Sequence, residues 1–93
     1  MVRKGFLEEG PEGDRSRRGA DDFVAVSWDE ALDLAARELE RVRRDHGNQA
    51  IFGGSYGWAS AGRFHHAQSQ IHRFLNCIGG YTASIDTYSY AAI

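Results

Sequence analysis

Apolar residues along the chain form two helical stripes with a short unbroken apolar run between them. The first stripe is Trp28, Ala31, Leu32, Ala35, Leu39 and Val42, a one-faced period near 3.6. It begins at Ser27-Trp28-Asp29-Glu30, a capping box. There the Ser27 hydroxyl can accept from the Glu30 N–H, and the Glu30 carboxylate can reach back to the Ser27 N–H. Asp29 and Glu30 suit the positive helix start, Arg41, Arg43 and Arg44 suit its end, and Gly47 fits the stop. The pattern predicts a helix over 28–46. The second stripe is Phe64, Ala67, Ile71, Phe74, Leu75 and Ile78, and predicts a helix over 63–78 that ends at Gly79-Gly80.

Between the stripes, Ala50-Ile51-Phe52 suits a buried strand of a parallel sheet. Phe23-Val24-Ala25-Val26 reads as another short strand. The order strand, helix, strand, loop, helix argues for an α/β class, a partial three-layer unit of short parallel strands and two helices over 23–93. Residues 1–22 are polar, charged and glycine-bearing, and read as a mobile polar arm. After Gly80, "YTASIDTYSYAAI" completes no visible element.

Composition narrows the function. With 93 residues, the chain has room for one small domain. Its 11 Lys and Arg against 13 Asp and Glu leave a net charge of −2 and no basic field for nucleic acid. No apolar run approaches the roughly 20 residues that span a bilayer. The Arg17-Arg18 pair is followed by Gly19-Ala20-Asp21-Asp22 rather than an apolar stretch, so it is not an export signal, and compartment is not encoded. The single cysteine, Cys77, has no partner for an internal disulfide and reads as a small buried hydrophobe.

The candidate chemistry centres on "GGSYGWASAG" at 53–62. Ligands of open α/β sheets bind beyond the carboxyl ends of the strands, where this stretch falls. Its glycines let backbone approach a ligand, and N–H groups ahead of a helix attract anions. The spacing is neither GxGxxG nor GxxxxGK[ST]. Two readings stand side by side: a tight βα connection whose aromatics pack on neighbours, or a site, including that of a free-standing nucleotide-binding module. His65, His66 and His72 lack acidic or thiol companions at ligand spacing, and read as surface or capping residues. Ser89 has neither a base partner nor a G-x-S-x-G frame.

Three ordered stretches add a resemblance. "RGADDFVAVSWDEALDLAARELERVR", "AIFGGSYGWASAGRFHHAQSQIHRFLNCIGGYT" and "DTYSY" resemble the N-terminal region of the dimethyl sulfoxide reductase family of molybdopterin oxidoreductases. The likeness covers nearly the whole chain. It is nearest to the S-oxide and N-oxide reductase branch, which includes dimethyl sulfoxide, biotin sulfoxide and trimethylamine N-oxide reductases. The SWDEAL helix is shared across the superfamily, whereas "GSYGW" with a Tyr-Ser pair at this distance is narrower.

The resemblance implies a bis(molybdopterin guanine dinucleotide) cofactor, with Ser89 as the protein ligand to molybdenum. It implies that the Tyr56 hydroxyl and Trp58 indole N–H stand beside the metal, with Gly57, Trp58 and Ser89 against the cofactor. Thr87 separates Asp86 from Tyr88 where the family often reads G-D-Y-S, and Ala91 stands where a glycine is frequent. A tyrosine at position 56 is typical of the sulfoxide-reducing side. The implied reaction is oxygen-atom transfer from an S-oxide or N-oxide, with an electron donor that these residues do not specify. Family enzymes are several times longer. The resemblance therefore makes this chain an N-terminal fragment of an oxidoreductase, inactive without the remaining domains.

Overall fold

Within the first 22 residues the chain doubles back on itself. In the computed structural model, which describes residues 1–57 and 61–93, strand β1 (Val2–Arg3) runs antiparallel to β2 (Phe23–Val24). Val2 pairs with Val24 and Arg3 with Phe23. A six-residue helix α1 (Lys4–Glu9) lies between them in sequence and ends where Gly10 N–H bonds to Phe6 O at 2.9 Å. The segment read as a polar arm thus contains a strand and a helix. Its charges explain how. The buried Asp21 accepts from Gly5 N–H at 2.9 Å and from Arg17 Nη2 at 2.8 Å, and Arg3 Nε lies 3.6 Å away. A hydrophobicity pattern does not register such a tie, because every partner in it is polar.

Helix α2 (Trp28–His46) has the predicted bounds. Ser27 N–H donates to Glu30 Oε2, and Glu30 N–H donates to Ser27 Oγ, both at 3.1 Å, so the capping box closes reciprocally. Its apolar stripe is not matched by burial: no α2 residue is buried, and Trp28 is 84% exposed.

The chain forms two compact units, Met1–Arg41 and Val42–Ile93. In the second, a 3-10 turn (Asn48–Ala50) leads into β3 (Phe52–Gly53), which pairs in parallel with β4 (Thr82–Ala83). Helix α3 (Ala67–Cys77) is the crossover between them. The described residues therefore form an α/β mix, with one parallel and one antiparallel strand pair among them where parallel strands alone were expected. The antiparallel pair arises because β2 finds its partner within the first 22 residues.

The core of the second unit is Ile51 and Leu75. Leu75 presses on Gly53 so closely that a Cβ there would collide with the leucine Cδ1, so a larger residue at this crossing would have to displace the leucine. Around the core, Asn48 Nδ2 donates to Ile78 O (3.1 Å) and Gly80 O (2.8 Å), tying the 3-10 turn to the end of α3.

Three expectations are corrected here. Helix α3 starts at Ala67 rather than near Arg63, because His66 is its extended N-cap and its ring accepts from Ser69 N–H at 3.2 Å. Phe64 lies before the helix and is 84% exposed. Cys77 is exposed rather than buried. It stands two residues, roughly 200° of helix, beyond the inward-facing Leu75. The segment after Gly80, where no element was visible, holds β4 and a one-turn helix α4 (Tyr88–Ala91). No described helix is long and apolar enough to cross a membrane.

Candidate functional site

The parallel pair determines where a site can form. Both strands run the same way, so the chain after β3 and the chain after β4 emerge at the same edge. A cavity of about 780 Å³ lies there. Ser55 and Tyr56 line it from the β3 side, and Ser84, Asp86 and Thr87 from the β4 side. Helix α3 supplies Gln68 and His72, one turn apart and hence on one face.

Tyr56 is 45% exposed at the cavity wall. Its loop turns at Gly57, where φ is +72°, a left-handed value that a side chain would strain. Gly57 N–H donates to Ser55 Oγ at 3.2 Å, and Gln68 Nε2 donates to Tyr56 O at 3.4 Å. Asp86 also has positive φ, +71°, an uncommon conformation that Asp tolerates better than most residues. His72 Nδ1 is hydrogen-bonded to the Tyr81 hydroxyl, and their rings sit 5.4 Å apart, centroid to centroid.

The predicted site residues fall into three groups. Tyr56 and Gly57 lie on the loop after β3, with Tyr56 in the cavity wall. Ser89 is on α4 and exposed. It is not part of the lining itself, although Thr87 and Tyr90 on either side of it are. Trp58 lies outside the described residues. No cluster of three His, Cys, Asp or Glu side chains able to hold a metal occurs among the described residues, and His66 serves as a helix cap. Sequence reading missed Gln68, Ser84 and Thr87, and set His72 aside as a surface or capping residue. Gln68 and His72 follow the glycine-rich loop at i,i+4 spacing, which puts them on one helix face but does not by itself mark a site. Nothing local marked Ser84 or Thr87.

The cavity has room for a bulky group, and its wall is part polar and part apolar. Its volume lies within the roughly 300–1,000 Å³ of small-molecule sites. Hydroxyls and an amide dominate its polar wall, with the Asp86 carboxylate beside them. At Gly54 a Cβ would meet nothing within 4 Å, so bare backbone borders open space there. Neutral hydroxyl and amide groups of this kind can donate to or accept from a polar organic molecule.

Comparison with known proteins gives this arrangement a family. The Molybdopterin oxidoreductase family model matches residues 1–93. Over 92 residues the chain is 58% identical to a biotin sulfoxide reductase of Cereibacter sphaeroides, and 56% identical to a dimethyl sulfoxide/trimethylamine N-oxide reductase of that organism. It is 48% identical to a trimethylamine-N-oxide reductase of Haemophilus influenzae. These alignments cover 99% of this chain, which spans about 12% of the length of the first of these relatives and 11% of the other two.

Proposed function

The chain belongs to the molybdopterin oxidoreductase family, and from that premise we propose that it is the N-terminal part of a molybdenum-dependent S-oxide and N-oxide reductase. The observation that carries the reading is 58% and 56% identity, across 99% of the chain, to reductases of biotin sulfoxide and of dimethyl sulfoxide and trimethylamine N-oxide. In this reading the cofactor is bis(molybdopterin guanine dinucleotide). When bound, it supplies two-electron oxygen-atom transfer, with the electrons coming from a donor outside this chain.

The chain's own residues bind and orient. Ser89 would hold molybdenum through its side-chain oxygen, a hard donor that suits a high-valent metal. Tyr56 and Trp58 carry a phenol O–H and an indole N–H on rigid apolar bodies. In this reading both groups would serve as donors to the oxygen of a bound S-oxide, where negative charge would grow as the S–O bond breaks. A fixed donor aimed at such a charge lowers the barrier without reorganising during the reaction. Gly54 leaves the loop backbone bare where the pterin would lie against it, and Gly57 provides the left-handed turn beside it. The remaining domains of the enzyme complete the cofactor site.

The test is Ser89→Ala in the full-length holoenzyme. Sulfoxide reduction is expected to fall by at least about a hundredfold, the scale of losing a reaction-centre contact. The molybdenum spectrum is expected to change with it. Undiminished turnover with an unaltered spectrum overturns the assignment of Ser89.

A further inference from the structure

A side chain from outside the loop that carries Tyr56 fastens it to helix α3. Gln68, the second residue of α3, is half-buried and lines the same cavity. Its Nε2 donates to Tyr56 O at 3.4 Å. Its chain also lies over the next residue: a Cβ on Gly57 would stand 3.0 Å from Gln68 Cδ and 3.2 Å from Cγ. The left-handed turn at Gly57, φ +72°, brings the backbone under this side chain. Within the turn, Gly57 N–H also donates to Ser55 Oγ at 3.2 Å. Helix α3 is itself held by the packing of Leu75 on Gly53.

We propose that Gln68 is a positioning residue for substrate specificity: it fixes the Tyr56–Gly57 turn to α3 and so sets where the Tyr56 hydroxyl points. The inference rests on the proposed role of Tyr56 as a donor to the substrate oxygen. Gln68 touches neither substrate nor metal in this account. It acts through one carbonyl and through the face of one glycine. Rigid support of this kind matters because a reacting group displaced by about 1 Å can lose up to a hundredfold in rate. The amide is suited to the task, since it has a donor for the carbonyl and a flat apolar stem for the glycine. Glutamate has the same length but presents only acceptors to the Tyr56 carbonyl.

The experiment is a double-mutant cycle in the full-length holoenzyme, with kcat/KM measured for one S-oxide and one N-oxide. Exchange of the Gly57 amide in the same proteins is the second readout. Gln68→Ala and Gln68→Glu are each expected to lower S-oxide kcat/KM about tenfold and to speed Gly57 exchange. They should lower N-oxide kcat/KM less. In a Tyr56→Phe background, the same substitutions are expected to cost little further, because coupled residues are non-additive. Equal losses on both substrates, or additivity with Tyr56→Phe, overturn the role of Gln68 and leave that of Tyr56 standing. Full activity of Gln68→Glu overturns it as well. If Tyr56→Phe alone changes neither substrate, the role of Tyr56 fails, and the inference fails with it.

Discussion

In Met1–Arg41 the buried side chain is a carboxylate, Asp21, whereas in Val42–Ile93 the buried hydrophobics are Ile51 and Leu75. Each unit thus closes a two-stranded pair around a different kind of centre. In the first, the strands and α1 are drawn together by charge-assisted hydrogen bonds to Asp21 from Gly5 and Arg17 and by the Arg3 guanidinium 3.6 Å from it. In the second, the strands and α3 meet through an aliphatic side chain set against bare backbone at Gly53. Charge-centred closure depends on protonation, while packing-centred closure depends on volume. The cavity belongs to the packed unit, and its loops leave the very strands that Leu75 supports. The geometry of the site should therefore respond to changes in volume, and the first unit to changes in pH.

The largest effect that separates the two is expected from Leu75→Ala. Leu75 is only 4% exposed, and core truncations of this type cost about 2–5 kcal/mol. In the full-length protein the loss should appear locally, as faster exchange of two amides. These are Thr82 N–H, which donates to Ile51 O at 2.7 Å, and Gly80 N–H, which donates to Leu75 O at 2.9 Å. Exchange at Gly5, in the other unit, should stay unchanged. Gly53→Ala sharpens the point. Alone it forces a collision with Leu75, but in the Leu75→Ala background the methyl enters the space left behind. The double variant should therefore be less damaged than the sum of the singles. Additive losses would remove the claim that this one contact joins α3 to β3.

The same contrast explains how much of the molecule was legible in its sequence. Helix α2 was legible to its bounds, because a capping box and a glycine stop are local signals whose partners lie within four residues. Its burial was not, since an apolar stripe records a preference for cover and not the presence of it; Trp28 and Leu32 remain 84% and 62% exposed. The glycine-aromatic loop was legible as a candidate site from its position after an apolar run. Gln68, Ser84 and Thr87 were not, because the strand pairing that brings them to one edge joins residues 30 positions apart. Asp21 was missed for the opposite reason. It sits in a run of charge that reads as solvated, and only its partners from residues 3, 5 and 17 turn it inward.

A smaller effect, confined to acid, is expected from Asp21. Burial pushes its carboxyl up, but the Arg17 hydrogen bond, the Gly5 N–H and the charges of Arg17 and Arg3 outweigh it, so the pKa lies below its ordinary 3.8. A carboxyl lowered on folding stabilises the folded form at pH values above its unfolded pKa. That contribution is lost as pH falls from about 3.8 toward the folded value. Arg3 adds to the cost of the loss, because its Nη1 is buried with no hydrogen-bond partner and Asp21 is the charge beside it. Protection of the Gly5 amide, corrected for the intrinsic pH dependence of exchange, should hold steady from pH 7 to pH 5 and fall below about 3.8. Asp21→Asn should lower that protection at neutral pH and abolish the acid limb, since the amide does not titrate. In both proteins the Thr82 amide should show no matching transition. A shared acid transition at Gly5 and Thr82 would mean that the two units do not close on separate chemistries.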